Sequence, residues 1–88
     1  MNKNEVDLTV RHGGNEVFIS ANQHQKIQHI LDEALRKFRE QGIVPPANNT
    51  PFLRYGSTDL SDLNRSIADY GIPDKAVLDL LFRAGGGM

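Results

Sequence analysis

The 88 residues carry 10 basic and 11 acidic side chains, a net charge of −1, and no cysteine. That length supports one small domain with a modest core; the charge balance argues against the basic stripe of a nucleic-acid binder; and the lack of thiols excludes disulfides, thiolate metal sites and a cysteine nucleophile. No apolar run approaches the roughly 20 residues that span a bilayer, and residues 1–10 are polar and then alternating, unlike a signal peptide, so a cytoplasmic chain that engages neither membrane nor nucleic acid is expected.

Val6, Leu8 and Val10 alternate with Asp7, Thr9 and Arg11, the period of a strand with one apolar and one wet face. His12-Gly13-Gly14-Asn15 follows, rich in residues that tolerate positive φ, as a hairpin turn requires. A second strand returns with Val17, Ile19 and Ala21 on its inner face and Phe18 pointing outward. The period then changes. Ile27, Ile30, Leu31, Ala34, Leu35 and Phe38 make one stripe of an amphipathic helix, with Asn22 expected to cap its start and Gly42 to end it in the left-handed conformation.

Pro45, Pro46 and Pro51 predict a loop without regular hydrogen bonding. Phe52-Leu53-Arg54-Tyr55 reads as a short strand ended by Gly56-Ser57. Residues 61–70 read as short turns of helix, with Leu60, Leu63, Ile67 and Tyr70 as anchors. The last strand is expected over 76–83, with Val77, Leu78, Leu80, Leu81 and Phe82. Beyond Arg83 the apolar pattern stops, so Ala84-Gly85-Gly86-Gly87-Met88 is expected as a flexible tail, dividing the chain into a domain over 1–83 and a tail over 84–88. The order ββ, α, β, short helix, β specifies an α+β fold, a mixed sheet with one main helix across one face.

Several residues invite a chemical reading that their context does not support. His24 and His29 are five apart, poor spacing for one helix face, and His12 lies in the turn; all three are expected to be solvated. Asp59, Asp62 and Asp69 suit capping and solubility better than acid–base catalysis. Gly13-Gly14 lacks the Lys-Ser/Thr and helix start of a phosphate loop. Phe18 reads as a single exposed aromatic, and a patch with Leu53 or Leu81 is the lesser alternative. No nucleophile, metal cluster or convergent polar set points to an enzyme.

The element order with this tail resembles ubiquitin, a β-grasp fold, over nearly the whole chain. Arg65-Ser66-Ile67-Ala68-Asp69-Tyr70-Gly71-Ile72 followed by Val77-Leu78-Asp79-Leu80-Leu81-Phe82-Arg83 is similar to ubiquitin's segment leading into its last strand. Gly42-Ile43 with Pro45-Pro46 resembles its helix exit, and Ile27 and Ile30 the start of its helix stripe. Counted back from Gly87, Arg83 falls where the family carries the tail arginine read by its activating enzyme. Arg54 stands where ubiquitin has the central isoleucine of its recognition patch, which implies that the usual ubiquitin-binding partners do not bind. The helix reads about one turn longer than ubiquitin's, and none of Lys3, Lys26, Lys37 and Lys75 matches a main chain-linkage lysine, so polymeric chains are not implied.

Divergence of this size resembles the bacterial ubiquitin-like modifiers encoded beside an activating enzyme, a conjugating enzyme and a JAB-type zinc metallopeptidase, in operons of the antiphage kind. The resemblance implies a non-enzymatic protein modifier, with ATP used by the activating enzyme and no cofactor in this chain. It implies cleavage between Gly87 and Met88, recognition through Arg83, Ala84, Gly85 and Gly86, and an isopeptide bond from Gly87 to a protein target. Glycine suits such a tail because it has no Cβ and threads a narrow channel, whereas a bulky Met88 at the reacting carboxylate should block activation. Two alternatives share the fold: a sulfur carrier, whose tail usually ends in a bare Gly-Gly, and a non-covalent interaction module.

Overall fold

The computed structural model describes residues 4–84. The chain runs β1 (Glu5–His12), β2 (Asn15–Asn22), α1 (Ile27–Glu40), β3 (Asn49–Tyr55), β4 (Thr58–Asp59) and β5 (Val77–Ala84). The strands form one sheet in the order β2-β1-β5-β3-β4. β1 pairs antiparallel with β2 and parallel with β5, and β3 pairs antiparallel with both β5 and β4. This is the expected mixed sheet with one helix across one face.

Alternation along the strands decides which face is buried. Val6, Leu8 and Val10 on β1, Val17, Ile19 and Ala21 on β2, Leu53 on β3, and Leu78 and Leu80 on β5 are all buried. Against them packs the helix stripe of Ile27, Ile30, Leu31, Ala34 and Phe38. Leu60, Ile67, Ile72 and Ala76 close the same core from the segment between β4 and β5. Each fully buried Leu, Ile or Phe contributes about 1.5–3 kcal/mol relative to an exposed one.

The two ends of α1 are secured differently. At its C-terminus Gly42 takes φ +85°. The Gly42 N–H donates to the Arg39 carbonyl and that of Ile43 to the Phe38 carbonyl, both at 2.9 Å, the paired bonds of a Schellman motif. At the N-terminus Asn22 does not cap. It closes β2 instead, and its Oδ1 accepts from the His24 N–H at 2.8 Å. The helix begins five residues later, and its unpaired N–H groups reach across space: Ile27 to the Arg65 carbonyl at 2.8 Å and Gln28 to the Leu63 carbonyl at 3.1 Å. A tertiary partner thus fills the role a side-chain cap fills elsewhere.

Four further expectations are corrected. Pro51 lies within β3, opposite Phe82. Leu53, two residues on, accepts from Leu60 on the side away from β5. Pro51 has the same parity, so its missing N–H falls on that side beyond the reach of two-residue β4, where a ladder bond is not lost. Residues 61–70 are turns, not helix, although the apolar anchors hold: Leu60 and Ile67 are buried and Leu63 and Tyr70 pack against the core. Asp62, Ser66, Asp69 and Tyr70 shape those turns through side-chain bonds. Ser66 and Asp69 exchange bonds with each other's N–H groups, and the Asp62 N–H donates to the Tyr70 hydroxyl at 2.9 Å. Local side-chain bonding of this kind competes with helix. Ala84 is the last residue of β5, paired with Asn49, so the sheet extends one residue past the expected boundary. Finally, His12 is half-buried rather than solvated, edge-on to Phe82 at 5.0 Å and Phe38 at 6.2 Å, with Nδ1 3.0 Å from the Leu80 carbonyl oxygen.

Candidate functional site

The helix covers one face of the sheet, and the opposite face is open. Register places a row of charges straight across it. Glu16 on β2 stands opposite Arg11 on β1, Arg11 beside Asp79 on β5, Asp79 opposite Arg54 on β3, and Arg54 opposite Asp59 on β4. The signs alternate along the row, which is the favourable cross-strand arrangement. Arg11 meets Asp79 at 3.4 Å and Arg54 Nε donates to Asp59 Oδ1 at 2.6 Å.

Toward the tail end of β5 the row gives way to a compact group. Phe52 stands opposite Leu81, and both are half-buried. Arg83, one outward position further along β5, lays its guanidinium over the Phe52 ring at 4.6 Å from the centroid and sets Nη2 at 3.5 Å from Asp59 Oδ2. The Arg54 guanidinium lies 5.7 Å from the same ring. One carboxylate therefore bridges two arginines. The hydrogen bond from Arg54, with the nearby positive charges of Arg54 and Arg83, holds the Asp59 carboxyl below the usual carboxylate range, and the same bond raises Arg54.

Arg83 and Ala84 are thus placed by the final turn of strand, with Arg83 exposed on the open face. The remaining residues expected to carry the chemistry, Gly85, Gly86, Gly87 and Met88, lie outside the described residues. Arg54 faces outward on β3, one strand in from the sheet edge, between Asp79 on β5 and its ion-pair partner Asp59 on β4. Phe18 is 68% exposed on the same face. Its neighbour across Thr9 is Val77, whereas Leu53 is fully buried, so the patch with Leu53 does not form. Among the described residues no group of three or more His, Asp or Glu is arranged to hold a metal ion.

The roles of Phe52 and Asp59 beside Arg83 escape a reading of the sequence. Strand alternation around Leu53 points Phe52 and Arg54 outward, but it does not reveal that β3 runs antiparallel to β5 and carries Phe52 to the tail. Asp59 sits on a strand of only two residues, too short for any periodic signal.

Residues 1–87 match a protein family described as Protein of Unknown function (DUF2604). Among curated proteins none matches the chain. Solved structures match throughout. The ubiquitin-like domain of an Arabidopsis thaliana protein superposes with a TM-score of 0.70 at 15% identity, covering 96% of this chain and 83% of that one. A de novo design based on ubiquitin gives 0.70 at 20% identity, covering 99% and 100%. The ubiquitin-like domain of EccD5 from Mycobacterium xenopi gives 0.71 at 17% identity, covering 91% and 96%. The fold is therefore the ubiquitin-like β-grasp.

Proposed function

The chain belongs to the DUF2604 family, and from its fold and tail we propose that it is a ubiquitin-like protein modifier, made as a precursor, cut between Gly87 and Met88, and joined through Gly87 to an amine of a target protein. One observation carries this reading. β5 of a ubiquitin-like sheet runs to Ala84 with Arg83 exposed beside it, and Gly85-Gly86-Gly87 follows directly in sequence. Glycines alone would be weak support; three glycines that follow in sequence directly after that strand and its exposed arginine support the reading of a slim tail that a docked enzyme can take.

The chemistry asks little of this chain. A JAB-type zinc metallopeptidase hydrolyses the Gly87–Met88 bond and frees the Gly87 carboxylate. An activating enzyme of the ubiquitin type joins that carboxylate to the α-phosphate of ATP, releasing pyrophosphate. A partner cysteine thiolate displaces AMP, and the thioester passes to a conjugating enzyme. The target amine then displaces the thiol to form the amide. Catalytic groups come from the partners, and this chain supplies the electrophile and the face that docks. The setting is a bacterial cytoplasm and an operon of the antiphage kind.

The test is intact mass of the protein purified after co-expression with its neighbouring genes. Loss of Met88, with a heavier species joined through Gly87, is the expected result. A matured chain with sulfur in place of oxygen at its terminus would instead identify a sulfur carrier. Only uncut chain, in the presence of an active peptidase and activating enzyme, would leave a non-covalent module.

A further inference from the structure

The contact between Arg83, Phe52 and Asp59 joins three strands at the place where the tail begins. Arg83 comes from β5, Phe52 from β3 and Asp59 from β4. The Arg83 guanidinium is 4.6 Å from the ring centroid and 3.5 Å from Asp59 Oδ2. Asp59 is itself immobilised, because its other oxygen accepts the 2.6 Å bond from Arg54. The Arg83 side chain nonetheless remains 64% exposed. Resting on the ring and tied at one nitrogen, a guanidinium still has other N–H donors to offer a partner.

We propose that Phe52 and Asp59 are positioning residues for the conjugation chemistry: they fix the Arg83 guanidinium on the open sheet face before any enzyme docks. This rests on the modifier reading. A free arginine loses rotamer freedom when a partner grips it, and a guanidinium already held in place loses less. Ala84, the next residue, is paired with Asn49, so the tail departs from a defined point as well.

The experiment uses the chain matured to Gly87 and the activating enzyme recovered by co-expression, with ATP–pyrophosphate exchange as readout. Phe52→Leu and Asp59→Asn should each raise KM for the modifier about two- to fivefold, the size of an exposed cation–π or ion-pair contact, and leave kcat unchanged. In an Arg83→Ala background neither should have any further effect. Equal effects with and without Arg83, or no rise in KM, overturns the positioning role while the modifier reading stands. If the wild-type chain is not activated, the modifier reading falls and the role with it. The Arg83 Nε–H resonance tests the contact independently of activation: it should carry a ring-current shift that Phe52→Leu abolishes, and absence of that shift in the wild-type chain overturns the contact itself.

Discussion

Arg54 Nε donates to Asp59 Oδ1 at 2.6 Å from a directly opposed position on β3 and β4. This bond is the largest cause holding the Asp59 carboxyl below the usual carboxylate range. The sign of the linkage follows. A carboxyl depressed in the folded state adds stability above its unfolded value near 3.9, and that stability is lost as pH falls through the folded value. Asp59→Asn should therefore lower the urea midpoint at pH 6, and the gap between the two proteins should close toward pH 2.5. Urea titrations at both pH values check this; a gap of unchanged size at pH 2.5 would assign the effect to packing, not charge.

Gly42 separates two causes of glycine's usefulness. A Cβ built there meets no atom within 4 Å, yet φ is +85°. The obstacle to Gly42→Ala is thus backbone conformation alone, and the loss should be about 1–2 kcal/mol. Gly14, equally free of neighbours but without positive φ, is the control: Gly14→Ala should stay within about 0.5 kcal/mol of wild type. Thermal or urea unfolding of both variants distinguishes them, and similar losses at the two positions would contradict the argument.

Tyr70 reaches back over the turns of 61–70, its hydroxyl oxygen accepting from the Asp62 N–H at 2.9 Å while the Arg65 guanidinium lies 5.9 Å from its ring. Tyr70→Phe keeps the ring and removes the acceptor. The expected loss is about 0.5–1.5 kcal/mol, with faster amide exchange at Asp62 and little change along β1 and β2. Unaltered protection at Asp62 would mean that the hydroxyl does not hold this turn in solution.

Where a signal is periodic, the sequence already carries the structure. Alternation at Val6, Leu8 and Val10 names buried residues, and so does the stripe from Ile27 to Phe38 except at Leu35, which is half-buried at the edge of the core, because one face of each element must leave water. Gly42 is legible for a similar reason, since positive φ selects its residue type. Non-local bonding is what escapes. Asn22 has the chemistry of a cap, yet the helix N-terminus is satisfied by carbonyls nearly 40 residues away, at Leu63 and Arg65, and nothing near Asn22 announces them. Arg83 enters the candidate site through the resemblance, counted back from Gly87. Phe52 and Asp59, which hold it, emerge only once β3, β4 and β5 are set side by side.

Ile67 shows how that non-local bonding should behave. Its side chain is fully buried, and its N–H donates to the Gln25 carbonyl at 3.0 Å while that of Ala68 donates to Gln23 at 2.8 Å. In return, Ile27 and Gln28 donate to Arg65 and Leu63. The start of α1 and the segment before β5 therefore close on each other around one apolar side chain. Ile67→Ala should destabilise the protein by about 2–5 kcal/mol through the cavity it leaves. It should also uncouple the helix start: native-state hydrogen exchange at Ile27 and Gln28 should proceed by an opening of lower free energy than global unfolding. Val10→Ala, a cavity in the middle of the sheet, should lower global stability while leaving those two amides tied to it. Exchange of Ile27 and Gln28 through the global route in both variants would show that the helix start does not depend on Ile67.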